Sequence, residues 1–442
     1  MKDVADCGVT TAAKPSFREA ASVWWRIGIL SFGGPAAQIA LMHRMIVDEK
    51  KWLTEQQFIN ALSFCMMLPG PEAMQLATYA GWRLHGVAGG LMAGLAFVLP
   101  GAAVILGLAI AYVLYGEAPL AASLLMGIKA AVLVIVLEAL LRVARKALSG
   151  PAHWIIAGVS FAAIFLLEWP FPLIIALAAT YGLWHGERLS RTTASGAMEQ
   201  AGSASLPLRK TGLTILVWLL IWWLPILFVW VFIKPDVFGT IGLFFSKLAT
   251  VTFGGAYAVL AYMAQDAVEL HGWLSAPEMM DGLGLAETTP GPLILVTEFV
   301  GFLAAARANG DVNLWMGLAG ALVTLWATFA PCFLWVFAGA PYIEWIADRP
   351  RLREALRAIT AAVVGVILNL SVWFGLHVLF DQVDKLSFGW ISLHIPQAES
   401  FNPALLTLAL IAGYLIHVRQ WSIPQTLILT CCLGLFIGWI GL

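Results

Sequence analysis

Long apolar runs separated by short polar connections fill most of this chain. Nine runs predict helices able, by length, to cross about 30 Å of hydrocarbon: 86–115, 121–141, 152–167, 170–186, 212–233, 313–338, 357–380, 404–418 and 423–441. Four further apolar segments, 20–42, 57–83, 238–263 and 279–306, are interrupted near the middle by Gly or Pro. Such residues break a regular helix. These segments read as re-entrant or broken helices, or as kinked full spans. Segment 187–210 is polar, basic and rich in small residues, and predicts a cytoplasmic linker. The expected organisation is a cytoplasmic tail at 1–19, a membrane half at 20–186, a linker at 187–211 and a second membrane half at 212–442. The ends 388–403 and 404–442 leave the number of spans open.

The two halves repeat. Residues 31–71 align without gaps to residues 252–292, with 13 of 41 positions identical. The identities include Phe32/Phe253, Gly33/Gly254, Gly34/Gly255, Trp52/Trp273, Leu53/Leu274 and two Pro-Gly-Pro triplets. Further on, KAAVLVIV (129–136) matches TAAVVGVI (360–367). Two punctuation motifs at one spacing mark a duplication. Loop charge then sets orientation. Arg44, Lys50 and Lys51 lie between the motifs of the first half, whereas Asp266 and Glu269 lie between those of the second. Arg142, Arg145 and Lys146 are matched by Asp381, Asp384 and Lys385; acidic 116–119 is matched by basic 348–357. Matched loops of opposite sign, under the positive-inside rule, predict halves of inverted topology, the usual plan of secondary transporters. The fold class expected is an all-α polytopic membrane protein with a cytoplasmic N-terminus.

Composition narrows the function. Of 442 residues, 60% are hydrophobic and 12% charged, about half the charge of a soluble protein. The bilayer must therefore solvate most of the chain, which excludes a soluble enzyme and a disulfide scaffold. The first twenty residues are polar, so no removable signal peptide is expected. A net charge of −1 offers nothing to nucleic acid. Five scattered cysteines and eight scattered histidines predict no metal site, and no cofactor is expected. No nucleophile–base constellation suggests an enzyme.

The chemistry lies at the breaks. Pro69-Gly70-Pro71 and Pro290-Gly291-Pro292 each remove two backbone donors, and a helix restarts after each. A helix start offers unpaired N–H groups and partial positive charge, which favour an anion. Gly33-Gly34-Pro35 and Gly254-Gly255 make a second pair of breaks, where glycine permits close backbone approach to a ligand. Packing between helices through small residues is the competing reading.

The run SFGGPAAQIALMH…W…F…LPGPEAMQLATYAGW, repeated as TFGGAYAVLAYMA…W…DGLGLAETTPGP…VGF, resembles the chromate ion transporter family in its long, two-half form. The resemblance covers roughly residues 20–380. It implies export of chromate, a tetrahedral oxyanion shaped like sulfate, through a multi-pass protein of the cell (inner) membrane, conferring chromate resistance. It also implies drive by the membrane potential or a proton gradient. The motif residues it carries over are Arg26, Gly33, Gly34, Pro35, Pro69, Gly70, Pro71, Gln75 and Gly81, then Gly254, Gly255, Asp281, Gly282, Pro290, Gly291 and Pro292. Ala256 replaces the proline found at Pro35, so strict symmetry of the site is in doubt.

Among side chains, Arg26 and Lys129 lie in apolar runs and suit a dianion, or else reach for headgroups. Arg83 marks a cytoplasmic turn or joins them. Gln75 falls one helical turn past Pro71 and is expected to face the same cavity as the amides. Glu72, Glu287 and Asp281 are expected proton-coupling groups, with Glu138 and Glu298 also inside apolar runs. The expected partners are chromate, with sulfate as the alternative substrate, and lipid; a homodimer is the assembly to test. Another oxyanion carried on the same scaffold, or an anion channel, remains open.

Overall fold

The computed structural model describes residues 15–116, 118–193, 208–233, 236–253, 256–343, 350–389 and 391–440. The tail at 1–14, most of the linker, and Gly254 and Gly255 lie outside the described residues.

Every broken segment expected from sequence is a pair of short helices. In the first half these are α1 (Phe17–Leu30), α2 (Gly34–His43), α3 (Glu55–Cys65) and the first limb of α4 (Glu72–Tyr115). Helix α4 turns back at His85 and Gly86, where Gly86 adopts φ 64°, giving limbs 72–84 and 87–115. Gly81 and Gly89 let the limbs touch: a Cβ at either would meet the other's carbonyl oxygen at 2.3 Å. In the second half α9 (Val237–Val251) and α10 (Ala256–Gln265) form one pair; α11 (Ala276–Thr288) and α12 (Val296–Ala306) form the other. Each half repeats a short π-helical segment, Arg44–Glu49 and Asp266–Leu270, and then a Ser/Thr capping box, at Thr54 and Ser275.

Ion pairs fix which way these pairs open. Lys50 reaches Glu19 at 2.8 Å, His43 reaches Glu55 at 2.6 Å, and His85 reaches the Pro15 carbonyl at 2.9 Å. The start of α1, the end of α2, the start of α3 and the turn of α4 therefore share one end of the molecule. The 87–115 limb runs from there to the far end. At that end Tyr112 meets Asp281 near the start of α11, and Glu278 pairs with Arg307 just past α12 at 2.6 Å. The hairpins of the first half thus open toward one end, and the α11–α12 hairpin opens toward the other.

The long helices are α5 (Pro119–Ala147), α6 (Pro151–Phe165), α7 (Phe171–Thr193), α8, which ends at Phe232, α13 (Leu314–Gly339), α14 (Pro350–Leu379), α15 (Pro403–His417) and α16 (Ile423–Ile440). Among the described residues, six helices are long and apolar enough to span a membrane, and α6 and α15 are shorter apolar helices. The protein is therefore an all-α, multi-pass membrane protein. Its halves interlock reciprocally: α5 packs on α15 and α16, while α14 packs on α6 and α7. Glycines permit these approaches, as at Gly127 against the Thr430 carbonyl and Gly365 against the Ala157 carbonyl. The core is aromatic, with Trp24, Phe97, Phe245, Phe299, Phe302 and Phe374 fully buried.

One element departs from the expected all-helical plan. Between α14 and α15, β1 (Val383–Phe388) and β2 (Ile391–Pro396) form an antiparallel hairpin. It is pinned to the α6–α7 turn by the Ser392 N–H donating to the Leu166 carbonyl and by Lys385 on Glu168.

Candidate functional site

Three helix breaks, at Gly33-Gly34, Pro69-Gly70-Pro71 and Pro290-Gly291-Pro292, meet around Ser31 and Thr252. Gly33, Gly34, Gly70 and Gly291 all adopt positive φ (88°, 78°, 123° and 87°), which is why glycine stands there. A break frees backbone groups that lipid cannot satisfy. Here they satisfy one another across the halves. The Gly70 N–H donates to the Thr252 carbonyl at 2.8 Å, and the Gly291 N–H donates to the Ser31 carbonyl at 2.9 Å. Ser31 and Thr252 occupy equivalent repeat positions, as do Gly70 and Gly291, so the two bonds are one contact made twice. Each buried group left unpaired would cost about 1–3 kcal/mol, enough to select this reciprocal arrangement.

Two glutamines secure the freed carbonyls. Gln75 donates to the Pro69 carbonyl at 2.7 Å, and Gln38 donates to the Gly291 carbonyl at 2.6 Å. The side-chain oxygens of both glutamines are buried without a partner among the described residues. Gly101 lies against the Pro290 carbonyl and Cys332 against Gly70, each from the second residue position of a mid-helix proline pair, Pro100-Gly101 and Pro331-Cys332. Buried Thr297 and Thr328 approach to 3.5 Å beside them.

The expected amide donors are therefore already taken. The glycine N–H groups hold carbonyl oxygens, and Gln75 folds back onto its own break instead of extending into a cavity. Pro69, Pro71, Pro290 and Pro292 are buried with the glycines, while Gly33, Gly34 and Pro35 are half-buried.

The charged residues divide. Arg26 is exposed on α1, with no ionic partner among the described residues, and Arg83 is exposed. Lys129 does not reach the junctions. It pairs with Asp281 at 3.3 Å, and Tyr112 donates to the same carboxylate at 2.9 Å. Asp281 is 3% exposed, so this is a buried contact between the halves, about 10 Å along α11 from its end at the junction. Tyr257 donates to buried Glu287 at 2.6 Å. Glu72 opens α4 and is half-buried. Glu138 pairs with Arg142 one turn later at 3.8 Å. Glu298 is 1% exposed.

Gln38, Tyr112, Tyr257, Ser31 and Thr252 were not singled out in the sequence, because their partners lie far along the chain or use backbone. Lys247 had a signal. It stands six residues before Phe253, as Arg26 stands before Phe32, and both are exposed. The Lys247 ammonium lies 5.2 Å from the Tyr262 ring centre. A cleft lies under the β-hairpin, with Glu168, Glu269, Asn369 and His394 in its wall.

Comparison with known proteins follows this geometry. The family described as Chromate transporter matches residues 18–183 and 239–439. A chromate transport protein of Cupriavidus metallidurans is 30% identical over 369 residues, covering 82% of this chain and 84% of that protein. One from Pseudomonas aeruginosa is 30% identical over 448 residues, covering 93% and 96%. An uncharacterized transporter of Bacillus subtilis, YwrB, is 28% identical over 193 residues, which is 98% of its length and 43% of this chain. No solved structure matches significantly.

Proposed function

Since this chain belongs to the chromate transporter family, we propose that it is a secondary transporter that exports chromate across the inner membrane and so confers chromate resistance. The observation that carries this reading is the reciprocal pair of bonds, Gly70 to Thr252 and Gly291 to Ser31. Each of these glycine N–H groups holds a neutral carbonyl oxygen. A chromate oxygen makes a charge-assisted bond to the same N–H, about twice as strong. When one half rocks against the other, the carbonyls withdraw and the oxyanion takes their places, with the backbone at Gly33, Gly34, Pro35, Pro69, Pro71, Pro290 and Pro292 shaping the cavity. The first-half hairpins and the α11–α12 hairpin open toward opposite ends, which suits alternating access by inverted halves spanning 20–186 and 212–442.

Lys129 serves the same cycle at the far end. A dianion passing Asp281 competes for the lysine, and Glu72, Glu287 and Asp281 are then placed to exchange protons. Arg26 supplies a cation on the α1 face. The positive-inside rule favours a cytoplasmic N-terminus and linker, because Arg44, Lys50, Lys51, Arg142, Arg145, Lys146, Arg351, Arg353 and Arg357 lie on helix ends and connections toward the end shared by the α4 turn. Acidic Glu168, Glu269 and Asp384 lie at the other.

Purified protein in liposomes should take up chromate saturably, with sulfate competing. Intact protein without chromate flux would defeat the function. A preference for sulfate in the same assay would reassign the substrate. Flux that follows voltage linearly and never accumulates chromate against its gradient would instead indicate a channel.

A further inference from the structure

The α11–α12 hairpin and its end carry four carboxylates, and the structure treats one of them differently. Glu278 is held by Arg307, Asp281 by Lys129 and Tyr112, and Glu287 by Tyr257. Glu298, in the first turn of α12, has no hydrogen-bonding or ionic partner among the described residues. It is 1% exposed and lies seven residues after Gly291, and its neighbour Thr297 faces Thr328 beside the junction. The equivalent position in the first half is Ala77, buried and apolar, so packing alone does not require a carboxyl there.

Among the described residues, no element around it supplies a countercharge. Helix α12 packs on α4, α9, α11 and α13. On α4, Tyr112 is engaged by Asp281, His85 by the Pro15 carbonyl, Arg83 is exposed far down the first limb, and Glu72 is itself acidic. On α9, Lys247 lies over Tyr262; on α13, Cys332 donates to the Thr328 carbonyl. The three acids of α11 are the partnered ones above. A helix start favours negative charge, but that benefit is small beside the cost of an unpaired charge withdrawn from water.

We infer that Glu298 is the group that carries the coupled proton through the membrane, an inference that rests on the reading of this chain as a secondary transporter driven by protons. With the halves closed over it, Glu298 is the neutral acid. Rocking of the halves brings water to the carboxyl from one side, and the proton leaves to that water. The carboxylate then takes a proton from water on the other side before the halves close again. Asp281 is matched by Lys129 across the halves and Glu287 by Tyr257 within the second half, so neither is the unpartnered acid that this step needs.

The test uses the full-length protein in liposomes, with chromate as the probe and two assays: accumulation under an imposed pH gradient of either sign, and exchange of internal for external chromate at equal pH. In Glu298→Gln, gradient-driven accumulation should fall at least tenfold while exchange stays within about twofold of the unsubstituted protein; Glu298→Asp should keep part of the gradient response. Accumulation undiminished in Glu298→Gln would overturn the inference. So would loss of both activities in a monodisperse, thermally stable variant, which would make the residue structural. Unsubstituted protein that moves chromate without regard to pH would also overturn it. Absence of any chromate movement by the unsubstituted protein would instead defeat the transport reading itself.

Discussion

At the scale of single residues, Gly70 and Gly291 show how much a missing side chain contributes. Both sit at positive φ, where an L side chain costs roughly 1–2 kcal/mol. A Cβ at Gly70 would also lie 2.7 Å from the Gln75 amide and 3.0 Å from the Cys332 sulfur; at Gly291 the nearest atom is Leu295 at 3.2 Å. Gly70→Ala should therefore lower thermal stability in detergent by about 2 kcal/mol or more and reduce chromate flux about tenfold, with Gly291→Ala the milder of the two. Equal effects would mean that crowding at Gly70 is relieved elsewhere. The prolines and glycines of the junctions were legible in sequence because their backbone restrictions are local. Gln38 and Tyr112 were not, since the carbonyl and the carboxylate they bind arrive from the other half. Lys129 was visible as a costly charge in an apolar run and Asp281 as a motif residue and proton-coupling candidate, but only folding reveals that they pair.

Among elements, the helices follow the sequence closely, because a run of apolar residues in lipid has to satisfy its backbone internally. The β-hairpin escaped the same reading: its two strands are six residues each and sit between much longer apolar helices. Its attachment is electrostatic. Burial works to raise the Glu168 pKa, but the hydrogen bond and charge of Lys385 outweigh it and hold the carboxyl below its ordinary value. The same bond raises the Lys385 pKa. A depressed carboxylate stabilises the attachment above its ordinary pKa of about 4.3 and stops doing so as pH falls through the lowered value. Hydrogen exchange at the hairpin amides should therefore be steady from neutral pH to about 5, once corrected for intrinsic rates, and rise below about 4. Glu168→Gln should raise it already at neutral pH, while global stability changes by less than about 1 kcal/mol because both groups are partly exposed. Unaltered exchange in that variant would assign the attachment to the Ser392–Leu166 bond alone.

For the whole molecule, interlocking of the halves is the governing feature. Neither half can close its own junctions: Gly70 needs the Thr252 carbonyl and Gly291 needs that of Ser31. Two fragments, 1–200 and 201–442, should accordingly yield no chromate flux when expressed singly. Coexpressed, they should copurify and regain it. Fragments that transport alone would show that the junctions can be satisfied within one half. The duplication, the break positions and the loop charges were all determined by sequence, because spacing, backbone restriction and charge act locally or at a fixed register. The tertiary structure alone decided which carbonyl meets which glycine, which carboxylate finds a cation and which is left without one. Those outcomes depend on contacts between segments about 150 to 260 residues apart, and nothing in either segment taken alone encodes the position of the other.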